Sequence, residues 1–294
     1  MKNIRAPFLK TLALAIILQS ISSSAQNLYV TEFNTGNAYT FTPGGSQSIF
    51  TTGIGSDEAV AVNGAGNIFF SGTGNNNILE YAPNGTFLSV FASGLANPNG
   101  IAFNNVGDLL EADYGSGRIN EFAPNGASLG AFATGLSNPQ GLALDNFGNV
   151  FVSTGAGNIY KFAPNGTSLG AFATGLSSPW GLAFNASGDL FVAATGSGQI
   201  DEFGADGTFM GVFASGLNTP WGLAFNNEGI LFETDYGSGN INEFTPLGQQ
   251  STFASDINGP IGLAFELTPA PEPSSCALIG IGAVVLATLR RKKA

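Results

Sequence analysis

The step F-A-[ST]-G-L returns along this chain at a nearly fixed spacing, and that period constrains the fold more than any single residue does. Its starts fall at Gly53, Gly94, Gly135, Gly175 and Gly216, with a weaker one at Asp256, so successive units span 41, 41, 40, 41 and 40 residues. A constant period of this size marks a repeat architecture whose units bury their apolar faces against one another. The composition agrees, since 25 phenylalanines supply core and 42 glycines supply turns in a chain of 294 residues.

One unit reads GLANPNGIAFNNVGDLLEADYGSGRINEFAPNGASLGAFAT and contains four short apolar runs, at 100–103, 108–112, 118–122 and 128–132. They are separated by NNVGD, DYGSG and APNG, which carry turn chemistry. Asn-Gly in the last of these offers two residues that tolerate positive φ, as tight hairpins need. Four strands in about forty residues is the pattern of a β-propeller blade. The ends of the array complete it. Residues 26–52 match the second to fourth strands of a unit, and 256–266 match only the first. Joined, they make one blade that closes the ring and removes two exposed sheet edges. The expectation is an all-β, six-bladed propeller over 26–266, with whole blades at 53–93, 94–134, 135–174, 175–215 and 216–255.

The motif P-x-G-[IL]-A-[FL]-x-x-x-G-[DN]-[LV]-[FL], followed by D-Y-G-S-G-x-I, resembles the NHL-type propeller repeat across 26–266. That resemblance implies fold more than chemistry, because such propellers include scaffolds, sugar or protein binders and a minority of enzymes. Streptogramin-lyase-like members depend on a histidine, and this chain has none. The same lack removes Ser-His-Asp triads and imidazole bases. Gluconolactonase-like members use a carboxylate, an Asn and an Asp around one divalent ion, for which Glu58 or Glu32, Asn99 and Asp113 are the nearest candidates. Paired carboxylates at the propeller mouth also leave a carbohydrate-active hydrolase open as the alternative to a non-catalytic module.

Both ends carry address-like segments. Residues 1–25 hold Lys2, Arg5 and Lys10, an apolar run and small residues before Gln26, the layout of a secretory signal peptide. At the other end come a linker over 267–273 containing Pro271, Glu272 and Pro273, an apolar stretch over 274–289 and the basic tail RRKKA at 290–294. Fourteen residues, or sixteen with Ser274 and Ser275, are short for a stable span of roughly 20. The combination closely resembles the PEP-CTERM sorting signal of Gram-negative bacteria. It implies an exosortase-type processing protease as partner, transient insertion of a short C-terminal hydrophobic helix in the inner membrane, and delivery to the cell surface or extracellular polysaccharide. The single cysteine, Cys276, lies in this tail, so no disulfide staples the body.

Over residues 26–273 the only basic residues are Arg118 and Lys161, against all 20 carboxylates, which gives this body 2 − 20 = −18 formal charges. Such a surface repels phosphate backbones and argues against nucleic acid. It suits divalent cations, basic partners or plain solubility.

Comparing equivalent positions around the ring is the way to look for a site. The residue after each blade's leading proline, or its equivalent, is Glu58, Asn99, Gln140, Trp180, Trp221 and Ile261. The only two tryptophans fall there, in adjacent blades. Indole faces beside amides and a carboxylate make a platform for sugar rings or a peptide; the other reading is that each Trp packs on its neighbour and plugs the channel. At the end of the second strand stand Glu32, Gly72, Asp113, Ser153, Ala194 and Asp235. Glu32, Asp113 and Asp235 are candidate metal ligands, with Ca²⁺ the cation such oxygens would suit, but Asp113 and Asp235 sit three blades apart and so on opposite sides of the ring. The alternative is that each Asp binds its own turn backbone. No other cofactor is implied.

Overall fold

The computed structural model describes residues 26–267. The expected signal peptide and the sorting tail, with Pro271, Glu272 and Pro273, lie outside the described residues. Within them the chain forms 24 strands in six four-stranded antiparallel sheets. β1 (Leu28–Glu32), β2 (Asn37–Phe41) and β3 (Gln47–Thr52) start blade 1. Blade 2 is β4 (Asp57–Val62), β5 (Ile68–Gly72), β6 (Asn77–Tyr81) and β7 (Phe87–Ser93). Blade 3 is β8 (Pro98–Phe103), β9 (Leu109–Asp113), β10 (Arg118–Phe122) and β11 (Ser128–Thr134). Blade 4 is β12 (Pro139–Leu144), β13 (Val150–Thr154), β14 (Asn158–Phe162) and β15 (Ser168–Ala173). Blade 5 is β16 (Pro179–Phe184), β17 (Leu190–Ala194), β18 (Gln199–Phe203) and β19 (Phe209–Ser215), and blade 6 is β20 (Pro220–Phe225), β21 (Leu231–Asp235), β22 (Asn240–Phe244) and β23 (Gln250–Ala254). The last strand, β24 (Pro260–Phe265), pairs with β1 and completes blade 1 in the order β24-β1-β2-β3. The first strands contact one another in the cycle β4, β8, β12, β16, β20, β24 and back to β4, so the ring is closed by hydrogen bonds between the two ends of the chain. Apart from one 3₁₀ turn at Thr195–Ser197, no helix occurs among the described residues, and none is long and apolar enough to cross a membrane.

The phenylalanines explain the period. In four of the six seams between blades, a second-strand Phe is wedged edge-on between a fourth-strand Phe of its own blade and a first-strand Phe of the next. Phe191 meets Phe213 at 4.9 Å and 87° and Phe225 at 5.1 Å and 79°. Phe69, Phe151 and Phe232 repeat the arrangement with Phe91 and Phe103, Phe172 and Phe184, and Phe253 and Phe265. Edge-to-face packing of this kind adds about 0.5–1.5 kcal/mol per pair beyond area burial. Phe151, Phe191 and Phe232 stand 40 and 41 residues apart, so each period sets the same wedge into the next seam.

Two local devices differ from simple expectation. In the third-to-fourth-strand turns only the glycine takes positive φ, for example Gly85 at 81° and Gly126 at 81°. The preceding Asn84 instead accepts the Thr86 N–H through Oδ1 at 3.0 Å, as Asn125 does from Ala127 at 3.1 Å. The second device is a bulge in each first strand, where the pairing register shifts between Pro98 and Ile101 and at the equivalent places in the other blades. In five of the six blades, all but blade 2 with its Ala59, glycine follows the varied position, and in blades 3 to 6 the next blade comes too close there for a side chain. A Cβ on Gly100 would overlap the Gln140 carbonyl and sit 2.9 Å from the Leu142 nitrogen. Second-strand hydroxyls tie the bulge to the next blade. Thr234 Oγ1 accepts the Gly222 N–H at 2.8 Å and donates to the Ile261 carbonyl at 2.6 Å, and Ser153 links Gly141 to the Trp180 carbonyl in the same way.

Candidate functional site

The mouth of the channel is built by two loops from each blade, the one leading into the first strand and the one between second and third strands. The residue before each leading proline holds positive φ: Asn97 at 57°, Asn138 at 54°, Ser178 at 50°, Thr219 at 67° and Gly259 at 76°. Non-glycine residues adopt this region rarely and a β-branched one at a cost. Here its carbonyl is aimed at the neighbouring turn, where Asn97, Thr219 and Gly259 accept the N–H groups of Tyr114, Tyr236 and Phe33 at 3.1, 3.1 and 3.0 Å. The loops are thus cross-braced, and the varied residue directly after each proline is carried on a fixed frame.

Around that frame the structure brings Gln140, Trp180 and Trp221 together on one channel cavity of about 100 Å³. Below them the cavity is walled by Val60, Ile101, Leu142, Leu182, Leu223 and Leu263, one apolar residue from each blade. Above them opens a cup of about 450 Å³ lined by Phe33, Ser56, Thr73, Asn97, Asn99, Tyr114 and again Trp180 and Trp221. The two indoles border both spaces, so they form the floor of the cup and the roof of the channel. They are half-buried. Their rings lie 4.3 Å apart at 42°, and Trp221 continues to Tyr236 at 5.4 Å and 42°. The two indoles pack on each other across the seam between blades 5 and 6 while each remains partly exposed. Glu58 is the second residue of β4, but its side chain lies outside what the structure describes. Phe33, Tyr114 and Tyr236 belong to the mouth as well, and nothing in the residue-after-proline comparison points to them.

The two amides differ from every other polar group there. Asn99 is 3% exposed and Gln140 6%. Gln140 Oε1 is buried without a hydrogen-bond partner. Neither side-chain amide is spent on another described residue. The described residues that line cup and channel carry no charged side chain.

The candidate metal ligands are placed elsewhere. Asp113 Oδ1 accepts the Ser116 N–H at 3.0 Å and Oδ2 the Ala96 N–H at 3.0 Å. Asp235 does the same with Ser238 at 3.0 Å and Asn218 at 2.7 Å. Glu32 accepts the Asn258 N–H at 2.6 Å, the Thr35 hydroxyl, and more weakly Asn37 and Tyr39. Each carboxylate therefore pins its own turn to the leading loop, and the three lie in three different blades. Among the described residues no group of three or more acidic, His or Cys side chains is set to hold a metal. Ser153 is not equivalent to these residues: β13 ends one position later, at Thr154, because the blade 4 turn is a residue shorter.

Two further carboxyls are strongly perturbed. Glu111 and Glu233 are fully buried, and burial first, with Asp113 or Asp235 alongside, raises each to about 8 against the opposing hydrogen bond from Asn120 or Asn242. Asn120 Nδ2 donates to Glu111 Oε2 at 2.8 Å and Asn242 Nδ2 to Glu233 Oε2 at 2.9 Å, while both Oε1 atoms have no partner. They share a strand face with Leu109 and Leu231, which pack into the seams with the preceding blades. They line neither cup nor channel.

No protein-family model matches the chain, and no curated protein is similar to it in sequence. Solved structures do match. The propeller of a nidogen/laminin complex superposes with a TM-score of 0.74 at 20% identity over 83% of this chain and 100% of that one. A virginiamycin B lyase from Staphylococcus aureus gives 0.64 at 15% over 83% and 89%, and a gluconolactonase from Xanthomonas campestris 0.61 at 20% over 70% and 78%. A protein-binding module and two enzymes thus share one architecture at identities that speak for fold alone. The chain is a six-bladed β-propeller of four-stranded antiparallel blades.

Proposed function

We propose that the protein is an exported, non-catalytic binding module that works at the surface or in the extracellular matrix of a Gram-negative bacterium and takes its ligand at the Trp180–Trp221 mouth. The observation that carries the binding half is the pair of half-buried indoles flooring an open cup that the buried amide Asn99 also lines. Such a surface holds a ligand by stacking and hydrogen bonding. The described residues lining the cup carry no charged side chain, and the carboxyls Glu111 and Glu233, raised by burial, sit in blade seams away from it. The export half rests on the leader and on the Pro271-Glu272-Pro273, apolar and RRKK succession. In this reading an exosortase-type protease removes the tail after transient membrane insertion, and a polysaccharide or surface protein is the partner that retains the propeller.

Mass spectrometry of the surface fraction tests export. Mature protein should begin at Gln26 and lack the basic terminus; an intact RRKKA end overturns the sorting reading. Retention in the extracellular matrix tests binding. A Trp180→Ala/Trp221→Ala variant that is exported and folded should wash out, and undiminished retention contradicts the mouth as the binding face.

A further inference from the structure

We infer that the mouth recognises a neutral carbohydrate, with a sugar ring stacked on the Trp180–Trp221–Tyr236 wall and a hydroxyl meeting the Asn99 amide across the cup. This rests on the binding reading above and names its ligand class. Four observations converge on it.

The first is the amide that shares the cup with the indoles. Asn99 lines the cup, is 3% exposed, and makes no side-chain hydrogen bond to another described residue. Buried polar groups are nearly always paired, so an amide at the cup wall suits a ligand that can both donate and accept. Water can occupy that place in the free protein and be exchanged for a ligand hydroxyl.

The second is the geometry of the rings. At 4.3 Å and 42° the two indoles leave no gap into which a flat group could slide. A ligand must lie on their outer face, and the tilt carried on through Tyr236 makes that face a shallow curved wall. The C–H face of a pyranose suits such a surface, because aromatic rings present apolar area together with a negative face.

The third is the division of the mouth. Trp221 and Asn99 belong to blades 6 and 3, on opposite sides of the ring, and Gln140 stands beside Trp180. A purely apolar ligand would cover the indoles but leave the Asn99 amide across the cup unpaired. A sugar satisfies both sides, since its hydroxyls donate and accept while its ring stacks.

The fourth is charge and size. The described lining is uncharged, and Asp113 and Asp235 are committed to backbone N–H groups. The body's −18 formal charges oppose uronates and phosphorylated sugars. A cup of about 450 Å³ falls in the range of small-ligand sites, roughly 300–1,000 Å³. A protein partner would need about 800 Å² of its own surface covered.

The test places the full-length protein and its Trp180→Ala/Trp221→Ala variant on a glycan array carrying neutral, anionic and cationic oligosaccharides, with a peptide array in parallel. Signals confined to neutral glycans and lost in the variant are the expected result. Anionic-glycan, cationic-glycan or peptide signals that vanish in the variant overturn the carbohydrate class while leaving the mouth as a binding face. Signals indifferent to the variant, or no signal on either array, sink both readings. Asn99→Ala then separates recognition from packing. A side chain with no partner among the described residues should be replaceable with Tm nearly unchanged, while affinity for the retained glycan falls roughly tenfold. A fall in Tm with affinity preserved would make Asn99 a structural residue and overturn its role.

Discussion

Blades 3 and 6 face each other across the channel and carry nearly the same central strands, LLEADYGSGRINEF and LFETDYGSGNINEF. They fold alike in detail. Each has a buried Glu held by an Asn one strand over, an Asp pinning the turn to the leading loop, and a Tyr at the mouth. Yet at the rim they diverge, because the residue after the leading proline is Asn99 in one and Trp221 in the other. Tyr236 leans on Trp221 as part of an aromatic wall, whereas Tyr114 lines the cup beside Asn97 and Asn99. The comparison teaches that the repeat specifies a frame and that one position per blade is left free to specify the surface.

The shared Glu–Asn pairs provide the largest expected effect. Both carboxyls rise from 4.5 to about 8 on folding, so the native state prefers them protonated. Their stabilisation is complete below the unfolded value, declines as pH climbs, and is gone above about 8. The loss is on the order of 3–5 kcal/mol per residue from the size of the shifts. Thermal unfolding followed by circular dichroism should therefore show a higher Tm at pH 5 than at pH 8.5. Glu111→Gln or Glu233→Gln should each remove about half of that slope, and the double variant nearly all of it. A flat Tm profile in the wild type, or a slope untouched by both substitutions, would break the equivalence of the two blades.

At the rim the two blades should part. Trp221→Ala should weaken binding of the retained glycan roughly a hundredfold, and Asn99→Ala about tenfold, since stacking carries area and the amide one hydrogen bond. Titration calorimetry measures both. Equal losses would mean that the cup is not divided as described.

The second strands offer a finer contrast. Thr234 links the bulge of blade 6 to the Ile261 carbonyl, while blade 3 has Ala112 in that place. Thr234→Val should cost about 1–3 kcal/mol by leaving buried groups unpaired, and Ala112→Ser should gain about 1 kcal/mol by supplying the Gln140 carbonyl with a donor. Urea unfolding decides it; a neutral Thr234→Val would show that the hydroxyl bridge contributes nothing. Smallest of all, Tyr114→Phe and Tyr236→Phe should shift Tm by under about 2 °C and weaken glycan binding less than Trp221→Ala, because the rings rather than the hydroxyls build the wall. A Tyr236→Phe loss as large as Trp221→Ala would move the recognition from ring face to hydroxyl.

How far the sequence reaches depends on whether a signal is periodic. The ring, its six blades and the closing strand were legible because F-A-[ST]-G-L recurs every 40 or 41 residues and the two chain ends match complementary strands of one unit. The tryptophans were legible as exceptions at one repeated position. The rest needed three dimensions. Strand alternation puts Glu111 and Asp113 on one face of β9, but only the packed ring reveals that this face is a blade seam and not the channel. The turn in blade 4 is one residue shorter, so counting placed Ser153 where Thr154 stands. Gln140 looked like any polar residue in its column, since the lack of a partner is a property of its surroundings.

The account's central claim is that the mouth is a binding face, and the two tryptophans report on it directly, because the chain has no others and both line the cup. Acrylamide quenching of intrinsic fluorescence, with and without a saturating amount of the glycan retained on the array, is the decisive measurement. The free protein should be readily quenched and the loaded protein protected severalfold. Equal quenching in both states would place the ligand elsewhere on the propeller and contradict the account.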